Sequence, residues 1–270
     1  MNKFLASLSI LGVAAASQAY ALWGVSADNS LIKFDASNPS VIQSRTAITG
    51  LNDPFASILD FDYNPNDGYF YGVDTGANVY RIRSNGVATQ IGSFGPSGYD
   101  ADMAYDPFFG NFRWVSDFAE NAMLELDGSF SFGGDFFYSV DDVNFGNTPS
   151  LTGIGIDPDF GEMYMIDPEL DVLVQTFDPD GGELFTIGSL GLDITGFSSL
   201  VIDDNGNLFA ALSVDGFTSG LYSIDLMTGA ATWIGEFGEG INAIAVPEPR
   251  VYAALAGLLA LGLAVIRRRR

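Results

Sequence analysis

One short segment recurs along the chain and limits what the chain can fold into. Thr89-Gln90-Ile91-Gly92-Ser93-Phe94-Gly95 returns as Phe185-Thr186-Ile187-Gly188-Ser189-Leu190-Gly191 and as Thr232-Trp233-Ile234-Gly235-Glu236-Phe237-Gly238. Thr46-Ala47-Ile48-Thr49-Gly50 is a looser first copy. Ile48, Ile91, Ile187 and Ile234 are 43, 96 and 47 residues apart, so the middle interval holds two periods. A further copy is expected in the Phe-rich stretch 136–140. Such a period marks a repeat architecture, in which no unit buries its apolar faces alone.

Each period carries the same internal order. A turn series reads Asn64-Pro65-Asn66-Asp67-Gly68, Asp106-Pro107-Phe108-Phe109-Gly110, Asp157-Pro158-Asp159-Phe160-Gly161 and Asp203-Asp204-Asn205-Gly206. An aromatic-rich strand follows each turn, at 69–73, 111–115, 162–166 and 207–212. The next strand alternates with period two, placing Ile32/Phe34, Tyr80/Ile82 and Tyr222/Ile224 on one face. Four short strands per period predict a propeller blade.

The ends of the repeat predict closure. The first unit begins at its second strand, Leu22-Trp23-Gly24-Val25, while Ile241-Asn242-Ala243-Ile244-Ala245-Val246 is a spare first strand. Pairing them completes an all-β, five-bladed β-propeller and hides two edges that would otherwise recruit other chains. An open solenoid or sandwich would leave this split repeat unexplained.

Composition narrows the chemistry. The chain has no cysteine and no histidine, which excludes disulfides, thiolate nucleophiles, His-containing triads and the usual zinc sites. Residues 22–246 hold Lys33, Arg45, Arg81, Arg83 and Arg113 against 33 acidic residues, a formal charge of −28. That disfavours nucleic acid and anionic surfaces as partners and leaves cations, cationic partners and neutral sugars. Abundant aromatics and glycines mark an acidic folded domain.

Both termini read as targeting segments. Lys3, the apolar run 4–16 and the small-x-small triplet Ala19-Tyr20-Ala21 predict a signal peptide over 1–21, cut by signal peptidase after Ala21. The run is too short to span a bilayer. At the other end, Val246-Pro247-Glu248-Pro249-Arg250 leads into sixteen uncharged residues, 251–266, and then Arg267-Arg268-Arg269-Arg270. As a helix the run would reach about 24 Å, which terminal arginines extend by snorkelling. The positive-inside rule places those arginines in the cytoplasm and the acidic domain across the inner membrane.

Residues 247–270 closely resemble the PEP-CTERM sorting tag of exosortase substrates. Pro247, Glu248 and Pro249 match its motif, 251–266 its transmembrane helix, and Arg267, Arg268, Arg269 and Arg270 its arginine cluster. The resemblance implies a Gram-negative host, cleavage near the motif by exosortase, and release or transfer to the surface, often where exopolysaccharide is made. A second resemblance rests on Gly98-Tyr99-Asp100-Ala101-Asp102-Met103-Ala104-Tyr105-Asp106-Pro107 and Phe112-Arg113-Trp114-Val115-Ser116-Asp117. These residues look like a family of exported bacterial propeller-like domains with no assigned activity, spanning roughly 22–246.

With so many carboxylates, each is tested first against a structural role. Asp35, Asp127, Asp178 and Asp225 stand at matching positions before tight turns, where an Asp caps backbone amides two residues on. Asp106, Asp157 and Asp203 start the other turn series. Asp74 and Asp167 lie six residues beyond the turn glycines Gly68 and Gly161, and Asp117 one residue further along its blade. Closure would put all three on one rim as an acidic mouth, a candidate site for calcium, with a solvated loop end as the plainer role. Glu120, Glu125, Glu162 and Glu183 have no context that singles out a catalytic acid. Trp23, Trp114 and Trp233 fit packing between blades better than sugar stacking. Arg81, Arg83 and Arg113 are expected to pair with neighbouring carboxylates on the surface.

The expected function is an exported surface or matrix protein acting without catalysis as a binding or structural module, toward exopolysaccharide or another envelope component. No cofactor is expected beyond calcium. The rivals are a carbohydrate-active hydrolase using two rim carboxylates and a calcium-dependent coat protein.

Overall fold

The computed structural model describes residues 21–247 apart from 97 and 99. The signal peptide up to Tyr20, the tag from Glu248 onward and the span 251–266 lie outside the described residues. No helix among the described residues is long and apolar enough to cross a membrane.

Among the described residues, twenty-one strands build five blades. They are β1 (Ala21–Ser26), β2 (Ser30–Asp35) and β3 (Asn38–Ala47), then β4 (Ile58–Asn64), β5 (Tyr69–Asp74), β6 (Asn78–Ile82) and β7 (Ala88–Ser93). Next come β8 (Ala101–Asp106), β9 (Asn111–Ser116), β10 (Asn121–Leu124), β11 (Phe130–Phe132) and β12 (Phe137–Tyr138). β13 (Gly153–Ile156), β14 (Met163–Asp167), β15 (Val172–Thr176) and β16 (Glu183–Ser189) follow. β17 (Ser198–Ile202), β18 (Leu208–Leu212), β19 (Gly220–Ile224), β20 (Ala231–Glu236) and β21 (Ile241–Ala245) complete the domain.

The closure is the one the split repeat predicts. β21 pairs antiparallel with β1, Trp23 against Ala245, Gly24 against Ile244 and Val25 against Ala243, giving a first blade ordered β21-β1-β2-β3. The inner strands β21, β4, β8, β13 and β17 pack each against the next around one axis. Both faces of each blade are covered by neighbours. Leu31, Val79 and Leu221 are therefore as buried as Ile32, Tyr80 and Tyr222 on the opposite face.

The repeated Ile-Gly has a packing cause. On the outermost strands, Gly92 and Gly188 face the backbone of the next blade's outer hairpin, at Gly128 and at Thr228, too closely to admit a Cβ. Gly235 likewise meets Pro39 of the first blade. The motif therefore marks where one blade's edge receives the hairpin of the following blade.

The middle copy differs from expectation. The fourth strand of the third blade is β11, whereas 136–140 contributes β12, a fifth strand running parallel to β16 on the fourth blade. Burial explains the crossing, since Phe136 and Tyr138 sit in the core around Ile154, Met163 and Leu184. Ile48 also lies just past β3, while Ile91, Ile187 and Ile234 lie within β7, β16 and β20.

Candidate functional site

Inner strands of a propeller present an unpaired edge toward the axis, and those backbone groups need partners. Here side chains supply them. Asp102 on β8 accepts hydrogen bonds from Ile154 N (3.1 Å) on β13 and Leu200 N (3.0 Å) on β17. Ser199 Oγ donates to Asp102 (3.3 Å) and accepts from Ile244 N (3.0 Å). Asn242 Nδ2 donates to Ile58 O (2.8 Å), and Asp62 accepts from Tyr105 N (2.7 Å). Four buried or half-buried polar side chains thus tie all five inner strands together.

Where the inner strands begin, this axis opens into a cavity of about 460 Å³ among the third, fourth and fifth blades. Asp100, Asp117, Ser150, Thr152, Glu169 and Thr195 supply its polar lining. A second hollow of about 330 Å³ shares Asp100 and runs to Asp60, Trp114 and Phe197. Phe197 is exposed at the rim.

Carboxylates interact from the mouth inward. Asp100 has its pKa raised by partial burial and then by Asp117. Asp60 is nearly inaccessible, and burial lifts it to about 7, with Asp100 adding to the rise and the Trp114 Nε1 bond (3.2 Å) opposing it. Asp102 is held well above the ordinary range by burial and then by Asp60. This inward series was not singled out from the sequence. Its signal was an acidic residue inside an otherwise apolar first strand, as in Leu59-Asp60-Phe61 and Ala101-Asp102-Met103.

The three rim aspartates lie at the same end of their blades, at or just past the ends of β5, β9 and β14, but their carboxylates do not converge. Asp74 is buried and accepts from Gly76 N, Asn78 N, Asn78 Nδ2 and Tyr80 Oη. Asp167 is fully buried and accepts from Tyr138 Oη (2.6 Å), Ser150 N, Glu169 N and Leu170 N. Asp74 is taken up by its own loop and β6, and Asp167 by its own loop together with Ser150 and Tyr138 from earlier in the chain, because the first amides after a strand lack ladder partners. Asp117 alone of the three lines the 460 Å³ cavity. Among the described residues no group of three or more acidic side chains is disposed to hold a metal.

The other assignments divide. Asp35, Asp127 and Asp225 cap the amide two residues on, and Asp178 the one three on. Asp106, Asp157 and Asp203 cap their turns in the same way. Glu120 binds Gly98 N and Ser116 Oγ, Glu125 binds Asn111, and Glu162 binds Tyr164 Oη. Glu183 pairs through its backbone with Phe137 in the β12–β16 ladder. Trp114 is buried against Phe94, whereas Trp233 is exposed on β20, contrary to the packing expectation. Arg113 corrects the surface reading. It is 2 % exposed and bridges Asp106 (3.4 Å) to Asp180 (2.7 Å), because its place on an all-buried second strand leaves it no route to solvent. Arg81 lies over the Tyr69 ring at 4.4 Å. Ala21, at the expected signal cleavage point, begins β1 opposite Asp35, and Ala19 lies outside the described residues. Pro247 is the last described residue.

Solved structures share the architecture. A chain from a nidogen/laminin complex superimposes with a TM-score of 0.55 at 13% identity, covering 85% of this chain and 99% of that one. A structural genomics protein of unknown function from Bacteroides thetaiotaomicron gives 0.53 at 16% identity, over 71% of this chain and 53% of that one. A virginiamycin B lyase from Staphylococcus aureus gives 0.46 at 12% identity, over 80% and 70%. For the first two, at such identities, the likeness is one of fold. No curated protein matches the chain. The repeat, its closure and the axial network all fall within residues 30–246 or pair with them, the stretch matched by the model of a domain of unknown function, DUF4394, and the chain belongs to that family.

Proposed function

We propose that this is an exported, non-catalytic binding module that takes neutral polyhydroxylated ligands, exopolysaccharide foremost, at the cavity where the inner strands begin. The observation that carries the reading is the cavity itself. Its volume falls in the ~300–1,000 Å³ range of small-molecule sites, and its lining combines hydroxyls with carboxylates contributed by three blades. Hydroxyl and carboxylate oxygens accept from sugar hydroxyls, and Phe197, in the adjoining hollow that shares Asp100, offers a ring face for stacking. Delivery follows the targeting segments: signal peptidase acts at the N-terminus, the domain waits outside the inner membrane on the 251–266 span, and exosortase processes the Pro247-Glu248-Pro249 region for surface or matrix release.

Asp100 beside Asp117 supports a second reading, hydrolysis of a glycosidic bond, since one carboxyl held above its usual range and one neighbour are the parts such chemistry needs. One experiment separates the two. The purified domain is incubated with the host's exopolysaccharide, and both co-sedimentation and polymer size are measured. Retention with intact polymer, weakened by Asp100→Asn with Asp117→Asn, is the expected result. Shortened polymer establishes the hydrolase. Neither retention nor shortening overturns both.

A further inference from the structure

The opposite face, where the inner strands end, carries exposed aromatics around the point where the chain leaves the domain. Pro107, Pro158 and Val246 line one small axial cavity there, so the turns of the third and fourth blades adjoin the end of β21. Phe108, Phe109 and Phe160 follow those prolines and are 58%, 66% and 77% exposed. Their placement is fixed by packing. The Phe108 ring lies against the Gly161 turn of the next blade, and Phe109 sits over the buried Arg113 guanidinium at 5.3 Å. Those contacts hold the rings in place yet leave more than half of each exposed, and clustered exposed apolar groups mark interaction sites.

The chain beyond names the partner. Only Glu248, Pro249 and Arg250 separate Pro247 from the apolar run 251–266. Covalent reach alone, at most ~3.6 Å per residue, keeps the start of the run within about 14 Å of Pro247 on this face. We infer that the face bearing Phe108, Phe109 and Phe160 rests on the lipid bilayer while the chain is anchored, with the three rings in the headgroup layer. The inference rests on the proposed anchoring by 251–266.

The tether makes the encounter intramolecular, which offsets repulsion between the acidic domain and anionic lipid. Exposed Asp67 and Asp159 beside the rings keep the seat shallow, at the headgroups and above the acyl chains. Docking this way points the 460 Å³ cavity away from the membrane, free to meet polymer before release.

The absence of native cysteine allows the test on the full chain. Single substitutions Phe160→Cys, Phe217→Cys and Leu258→Cys, each carrying an environment-sensitive fluorophore, are reconstituted in vesicles of phosphatidylethanolamine and phosphatidylglycerol containing spin-labelled lipid. Phe160 and Phe217 are 77% and 84% exposed, so neither change disturbs the core. The expected result is quenching at 160 by headgroup spin labels, at 258 by acyl-chain labels, and at 217 by aqueous iodide alone. Phe108→Ser with Phe109→Ser should then raise iodide quenching at 160 several-fold. If 160 behaves like 217 while 258 is quenched, the anchor stands and the docked face is refuted. If 258 is not quenched, the anchor itself is refuted and the docked face with it. Shielding at 160 before lipid is added would mean that the chain's own apolar run covers the rings, which also overturns the inference.

Discussion

Gly188 on β16 and Thr228 in the turn before β20 meet across the seam between the fourth and fifth blades, and a Cβ on Gly188 would come well inside 3.0 Å of the Thr228 carbonyl. Gly92 stands in the same relation to Gly128 one seam earlier. The obstacle is backbone in both cases, so no rotamer change relieves it. Gly188→Ala and Gly92→Ala are each expected to destabilise the domain by about 1–3 kcal/mol through overpacking. Gly95→Ala, with no atom near its Cβ position, is the control. Urea midpoints at unchanged slope would measure the differences.

Ring closure depends on the five residues of β21. A chain cut after Gly240 loses β21, exposes the free edge of β1 and removes Asn242 and Ile244 from the axial network. It is expected to aggregate and to lose cooperative unfolding, as seen by light scattering beside a denaturant titration. An intact transition would show that the pairing of β21 with β1 does not hold the ring.

Asp60 gives a pH signature. Its carboxyl is raised from 3.8 to about 7, so between those values the folded state holds a proton that the unfolded chain has released. Stability is therefore highest near the lower value, falls as pH rises, and levels off above about 7, by at most about 1.4 kcal/mol per pH unit for this group. Asp60→Asn keeps an acceptor for Trp114 Nε1 and should flatten that slope without abolishing it, because Asp102 shifts in the same direction. Thermal melts from pH 4 to 8 decide it. A variant with the full slope would exonerate Asp60.

Arg113 is the buried cation of the domain's second-strand layer, and Asp106 beside it is 4% exposed. Arg113→Leu leaves that carboxylate without its counter-charge and is expected to cost about 3–5 kcal/mol. Asp180→Asn removes a partner whose side chain is 66% exposed and should cost about 1 kcal/mol or less. Equal losses in the two variants would contradict the asymmetry of burial.

The sequence by itself determined the strand order, the number of blades and the manner of closure. Those follow from local regularities: turn glycines and capping aspartates such as Asp106 and Asp225, alternation in β2, β6 and β19, and a repeat split between Leu22 and Val246. Each feature is written within a few residues, so periodicity exposes it. Only the tertiary structure decided which carboxylates matter to the cavity. Asp74, Asp117 and Asp167 look alike along the chain, yet Asp74 is consumed by its own turn and β6, Asp167 by its turn with Tyr138 and Ser150, and Asp117 faces the opening. Asp60 and Asp102 look like ordinary strand acids until ring closure brings five inner edges to one axis and gives them amide and indole donors from other blades. The same holds for β12, drawn to the fourth blade by burial of Phe136 and Tyr138, and for Phe108, which meets the Gly161 turn beside Phe160 only when the third and fourth blades pack. Partners that lie far apart in sequence leave no periodic trace, because their meeting is set by packing.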